Sequence, residues 1–95
     1  MIQIRKTEVF IKWLDGLRDE IGRARIQARI ARLASGNAGD VKPVGQGVSE
    51  MRIDVGPGYR VYFMRHGDEY ILLIAGGSKS TQKRDIELAL AMARS

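Results

Sequence analysis

The chain contains no cysteine, two prolines and one histidine, and aromatic residues make up only 6% of it. Without a thiol there is neither a disulfide nor a thiolate zinc site, so the fold has to rest on packing alone. A single histidine, His66, excludes an acid/base pair of two imidazoles, and its place beside an expected hairpin turn reads as exposed and non-functional. No HExxH motif, no cluster of carboxylates on one face and no serine beside a base occurs, which leaves metal-dependent hydrolysis and acyl transfer poorly supported. No apolar run reaches membrane-spanning length. The opening MIQIRKTEVF also lacks the long apolar stretch of a secretory signal, so the expected location is cytoplasmic. Repeats and low-complexity segments are missing as well.

What is present is a 95-residue chain with 44% hydrophobic and 28% charged residues, the size and balance of one small globular domain spanning residues 1–95. Sixteen Lys and Arg against eleven Asp and Glu give a net charge of +5. Such an excess favours a polyanionic partner, because each cation set against a phosphate releases counterions. Eleven of the sixteen are arginines, whose planar fork suits bidentate phosphate contacts.

The hydrophobic periodicity predicts β-α-α-β-β-β-α. Ile2 and Ile4 start a short strand. Thr7 then caps a helix on which Phe10, Trp13, Leu14 and Leu17 form the buried stripe. A second helix carries Ile26, Ile30 and Leu33 on one side and a row of Arg25, Arg29 and Arg32 on another, with Gly36 and Asn37 as its C-caps. That row reads first as a solvated face and second as a strip for a partner or for ribosomal RNA. Residues 37–47, rich in Gly, Asp, Lys and Pro, read as a loop. GVSEMRIDV and YRVYFMR alternate, YILLIA is apolar on both faces, and a last helix capped by Ser80 or Thr81 buries Ile86, Ala89, Leu90 and Ala93. Strands in one run with helices beside them indicate an α+β fold with a mostly antiparallel twisted sheet, the two N-terminal helices on one face and a C-terminal helix.

The stretch LLIAGGSKSTQKRDI looks at first like a phosphate-binding loop. The residue before Lys79 is Ser78, however, and Gly76 and Gly77 have the wrong spacing for one. What the stretch does place is Lys79, just beyond a strand end. In an antiparallel sheet Arg52 and Arg60 fall on adjacent strands and on their polar faces, with Tyr62 on the same face. Cations directly across a sheet repel unless acids such as Glu50 and Asp54 intervene or an anion binds. The alternative is an ordinary strand face compensated by Glu50.

GVSEMRIDVGPGYRVYF and LLIAGGSKSTQKRDIELA, preceded by FIKWLDGLRD and LASGNAGDVKPVG, resemble the Gp49-like, HigB-type addiction-module killer proteins of the RelE/ParE toxin superfamily, from about Phe10 to Ala89. The resemblance implies a RelE/ParE-like fold. It implies the toxin of a type II toxin–antitoxin pair, a ribosome-dependent mRNA interferase that cuts messenger RNA without metal or cofactor. It also implies a HigA-type helix-turn-helix antitoxin as partner, in a hetero-oligomer. Arg52, Arg60 and Lys79 match the cationic site, with Tyr62 in reserve for stacking or proton transfer. Gln82 and Asp85 fall on recurrent motif positions that frame the strand-to-helix junction, and Gln82 is a further candidate RNA contact. ParE-like members of the superfamily instead bind DNA gyrase, and a degenerate toxin would only bind its antitoxin, so fold alone does not decide the activity.

Overall fold

The computed structural model describes all 95 residues, Met1–Ser95. The elements are β1 (Gln3–Lys6), α1 (Glu8–Asp15), α2 (Glu20–Ala34), β2 (Val41–Gly45), β3 (Val48–Ile53), β4 (Tyr59–His66), β5 (Tyr70–Ser78), a single 3-10 turn (Lys79–Thr81) and α3 (Gln82–Arg94). The strands form one sheet in the order β1-β5-β4-β3-β2. β1 runs parallel to β5 and every other pair is antiparallel. The fold is therefore α+β with a mostly antiparallel sheet, and no helix is long and apolar enough to cross a membrane.

The element order differs from expectation at one place. Residues 41–45 are not loop but an edge strand, paired with β3 and ending in a two-residue turn in which Gln46 and Gly47 both have positive φ (52° and 79°). Turns of that kind match the twist of a hairpin. The strand is hidden from composition because Pro43 and Lys42 are the residues that suit an edge, where no further strand needs the missing amide.

Both faces of the sheet are covered. Phe10 and Leu14 of α1 and Ile26, Ile30 and Leu33 of α2 pack on Met51, Ile53, Tyr59, Val61, Phe63, Ile71 and Leu73. On the opposite face α3 sets Ala89 against Val48, Tyr62, Ile74 and Ala75. A strand covered on both sides needs apolar residues on both, which explains YILLIA. Thr7 caps α1 as expected, its Oγ1 accepting from the Phe10 amide at 3.0 Å, and Asp19 caps α2, its Oδ1 accepting from the Gly22 amide at 2.9 Å. α2 ends at Ser35 with Gly36 at φ 95° just beyond it, and Thr81 precedes α3 without a side-chain cap bond.

One irregularity positions everything downstream. Tyr62 pairs with Ala75 but Phe63 pairs with Leu73, so Ile74 is an extra residue in β5. The Thr7 hydroxyl pins this bulge by donating to the Ile74 carbonyl at 2.6 Å. An inserted residue reverses which face each later residue addresses. Gly76 thus turns to the α1 face, where a Cβ would collide with the Trp13 indole, and Gly77 turns to the α3 face, where a Cβ would collide with the Asp85 carboxylate. Neither glycine has a positive φ; the requirement is space. The two glycines of GGSK let a tryptophan and an aspartate close on a bare strand from opposite sides.

Gly77→Ala is expected to cost about 1–3 kcal/mol of unfolding free energy, since overpacked sites relax only by shifting backbone. Urea unfolding of the variant measures it, and an unchanged midpoint would contradict the Asp85 packing described.

Candidate functional site

Arg52 and Arg60 face each other across β3 and β4. Their backbone amides and carbonyls point outward from each other, as shown by Arg52 N–H donating to the Asp40 carbonyl at 2.9 Å. They therefore form the non-hydrogen-bonded kind of pair, in which side chains come closest. Two residues along, Glu50 faces Tyr62 in the same way. The four side chains occupy adjoining positions on the α3 face of the sheet.

Glu50 is wholly buried. Its Oε1 accepts from Arg52 Nε at 3.2 Å and lies 3.9 Å from Arg60 Nε. Its Oε2 accepts from Tyr62 Oη at 3.1 Å and from Gln82 Nε2 at 2.8 Å. Burial pushes the Glu50 carboxyl up, but hydrogen bonds from Gln82, Arg52 and Tyr62 and the Arg60 charge together outweigh it and hold the group below its ordinary range. It is ionised and saturated with donors, which makes it a counter-charge and a poor proton acceptor.

The Arg60 side chain is 12% exposed. Its Nε has no hydrogen-bond partner, and Nη1 makes one long contact with its own strand, at 3.4 Å to the Tyr59 carbonyl. Its donors are thus mostly uncommitted. Lys79 is exposed and starts the 3-10 turn, with its amide donating to the Gly58 carbonyl at 2.8 Å. Gly58, with φ +78°, sits between the two cations: the point where its Cβ would stand is 3.5 Å from Lys79 Cβ and 3.8 Å from Arg60 Nη1. The fold thereby brings Arg52, Arg60 and Lys79 to one region, with one buried carboxylate beneath.

Several expected site residues are placed otherwise. Tyr62 is 0% exposed, and burial, the Glu50 charge and its hydrogen bond push the phenol above its ordinary range. Its hydroxyl donates to Glu50, and the ring lies under the surface where an expected stacking or proton-transfer partner would stand. Gln82 spends its Nε2 on the same carboxylate, so its placement is that of a support for the site. Asp85 is buried at the β5–α3 junction and accepts from Thr81 Oγ1 at 2.5 Å. The arginine row divides. Arg25 and Arg32 are exposed, whereas Arg29 folds inward and donates to the carbonyls of Arg52 at 2.6 Å and Ala38 at 3.2 Å. Arg29 fastens α2 and the 37–40 loop to β3, just behind Arg52. No three His, Asp or Glu side chains gather where they would hold a metal ion.

No family model matches the chain. An uncharacterized protein of Haemophilus influenzae (strain ATCC 51907 / DSM 11121 / KW20 / Rd) is 46% identical to it over 93 residues, 98% of this chain and 94% of that protein. The chain belongs to that protein's family. The solution structure of the conserved hypothetical protein HP0894 from Helicobacter pylori matches with a TM-score of 0.52 at 21% identity, over 84% of this chain and 97% of that one. At that identity the likeness is one of fold.

Glu50→Gln is expected to destabilise the protein by about 1–3 kcal/mol at neutral pH, because buried donors lose an ionic acceptor. Glu50 has a folded pKa below its ordinary value of 4.5. Its contribution is therefore complete above that value and is lost as pH falls below it and through the lower folded value. The gap between wild type and variant in denaturant unfolding should narrow below pH 4.5; a gap constant from neutral to acid pH would contradict an ionised Glu50.

Proposed function

We propose that this protein is the toxin of a type II toxin–antitoxin pair and an endoribonuclease that cuts messenger RNA on the ribosome. The observation carrying the reading is the convergence of Arg60 and Lys79 on Gly58, with Arg52 opposed to Arg60 over a buried counter-charge. One carboxylate offsets one of three cations, and the remaining charge suits a phosphodiester. The RelE/ParE-type resemblance of the GYRVYF and GGSKSTQ segments assigns such a cluster to RNA cleavage.

In the proposed reaction the 2′-hydroxyl oxygen attacks the adjacent phosphorus and the bond from phosphorus to the 5′-oxygen breaks. The 2′-hydroxyl loses its proton and the departing 5′-oxygen gains one, leaving a 2′,3′-cyclic phosphate and a 5′-hydroxyl. Arg60 and Lys79 stabilise the charge that grows on the phosphoryl oxygens, and Arg52 orients the strand. The buried Glu50 and Tyr62 supply neither base nor acid, which fits a reaction in which ribosome-held messenger is already positioned in line. The partner is a HigA-type helix-turn-helix antitoxin.

Arg60→Ala should abolish growth arrest while leaving folding and antitoxin binding intact. Mapping of 5′ RNA ends after brief induction should show new codon-positioned ends with the wild type and none with the variant. Intact messenger with altered plasmid supercoiling would instead indicate a gyrase inhibitor, and normal growth despite good expression an inert antitoxin binder. Replacing Arg25 and Arg32 by Glu should weaken ribosome co-sedimentation by several-fold and leave the cleavage positions unchanged. Unchanged co-sedimentation with altered cleavage would reverse that assignment.

A further inference from the structure

β5 is longer than the strand beside it. The pairing of β1 with β5 ends at Lys6 and Leu73, so the edge of β5 from Ala75 to Ser78 has no neighbouring strand. Backbone groups in an antiparallel ladder alternate toward and away from the partner. Lys79 N–H bonds to Gly58 across from β4, so Gly77 opposite Arg60 also points to β4, while Gly76 and Ser78 point away from it. The Ser78 N–H is satisfied locally, donating to Thr81 Oγ1 at 3.3 Å, while the Ser78 carbonyl lies 3.3 Å from the same oxygen, whose one proton goes to Asp85. That leaves the N–H and C=O of Gly76, one donor and one acceptor, facing outward side by side.

They open on a cavity of about 380 Å³ whose walls include the half-buried Trp13 indole, Leu17, Pro57, Thr81 and Arg84. Trp13 is braced edge-on by Tyr59, with ring centroids 6.3 Å apart. The ring is therefore held in place before anything binds. Only Gly76 has both its N–H and its C=O free, so an added peptide strand would gain a single two-bond bridge, too little to dock by strand pairing. A nucleobase needs no more than this: a ring to lie against and a donor–acceptor pair for its edge. From Gly76 to Lys79 is three residues of extended chain, about 10 Å, comparable to one nucleotide from phosphate to base edge.

We infer that this cavity is a nucleobase pocket, which takes the base of a single-stranded RNA nucleotide flanking the phosphate held at Arg60 and Lys79, against Trp13 and on the Gly76 backbone. The inference rests on the RNA-cleavage reading and adds to it the feature that selects where the strand is read. Trp13, the only tryptophan, reports on the pocket directly.

The test uses the wild-type protein and 2′-O-methyl RNA trinucleotides, which carry the phosphates but cannot be cut. Binding should change Trp13 fluorescence and shift the Gly76 amide together with the amides of Arg60 and Lys79. Trinucleotides abasic at one position should keep the Arg60 and Lys79 shifts, lose the Trp13 and Gly76 responses at one of the three positions, and bind about tenfold more weakly there. Shifts at Arg60 and Lys79 with a silent Trp13 and Gly76 for every intact base would overturn the pocket and leave the RNA reading standing. No response at any of the four residues would overturn both.

Discussion

A glutamate with no exposure, placed between two opposed arginines, is the constraint from which the rest of the candidate site follows. An unpaired carboxylate at such depth would cost several kcal/mol, and two arginines in the closer kind of cross-strand pair would repel. Each problem answers the other. Glu50 takes an Nε bond from Arg52, the charge of Arg60, and hydrogen bonds from Tyr62 and Gln82. Those donors come from β3, β4 and α3, so the carboxylate ties the site's three supporting elements together. The result is a cationic site held from below, with Arg52 and Lys79 reaching the surface and Arg60 mostly buried between them.

The bulge at Ile74 plays the corresponding role for shape. Because it reverses the facing of β5, the two glycines beyond it admit Trp13 from one side and Asp85 from the other. Asp85 seats the first turn of α3, which is what brings Gln82 to Glu50. Trp13 seats α1 at the β5 edge and walls the cavity there. One inserted residue therefore links the packing of two helices to the placement of the cations and of the pocket beside them.

Alternation along GVSEMRIDV and YRVYFMR made the facing of Arg52, Arg60, Met51 and Val61 legible from residue order alone, as did the apolar stripe and Thr7 cap of α1. Three things were not. The edge strand Val41–Gly45 carries Pro43 and Gly45, because an edge is built from residues that also make loops. The burial of Glu50 depends on α3 covering that face; the doubly apolar YILLIA hinted at a third layer but did not say where it ends. Arg29 lies in a periodic arginine row, and only the loop at 37–40 supplies the carbonyls that draw it inward. Local pattern determines which face a residue takes, while tertiary covering determines whether that face is wet.

The arginine Nε–Hε resonances test the central claim most directly, because Arg52 Hε is bonded to Glu50 whereas Arg60 Hε is buried with no acceptor. Titration with a deoxydinucleotide phosphodiester should shift Arg60 Hε saturably, with Arg52 following and Arg25 and Arg32 changing little. Arg60 Hε unmoved while the exposed arginines respond would contradict the account.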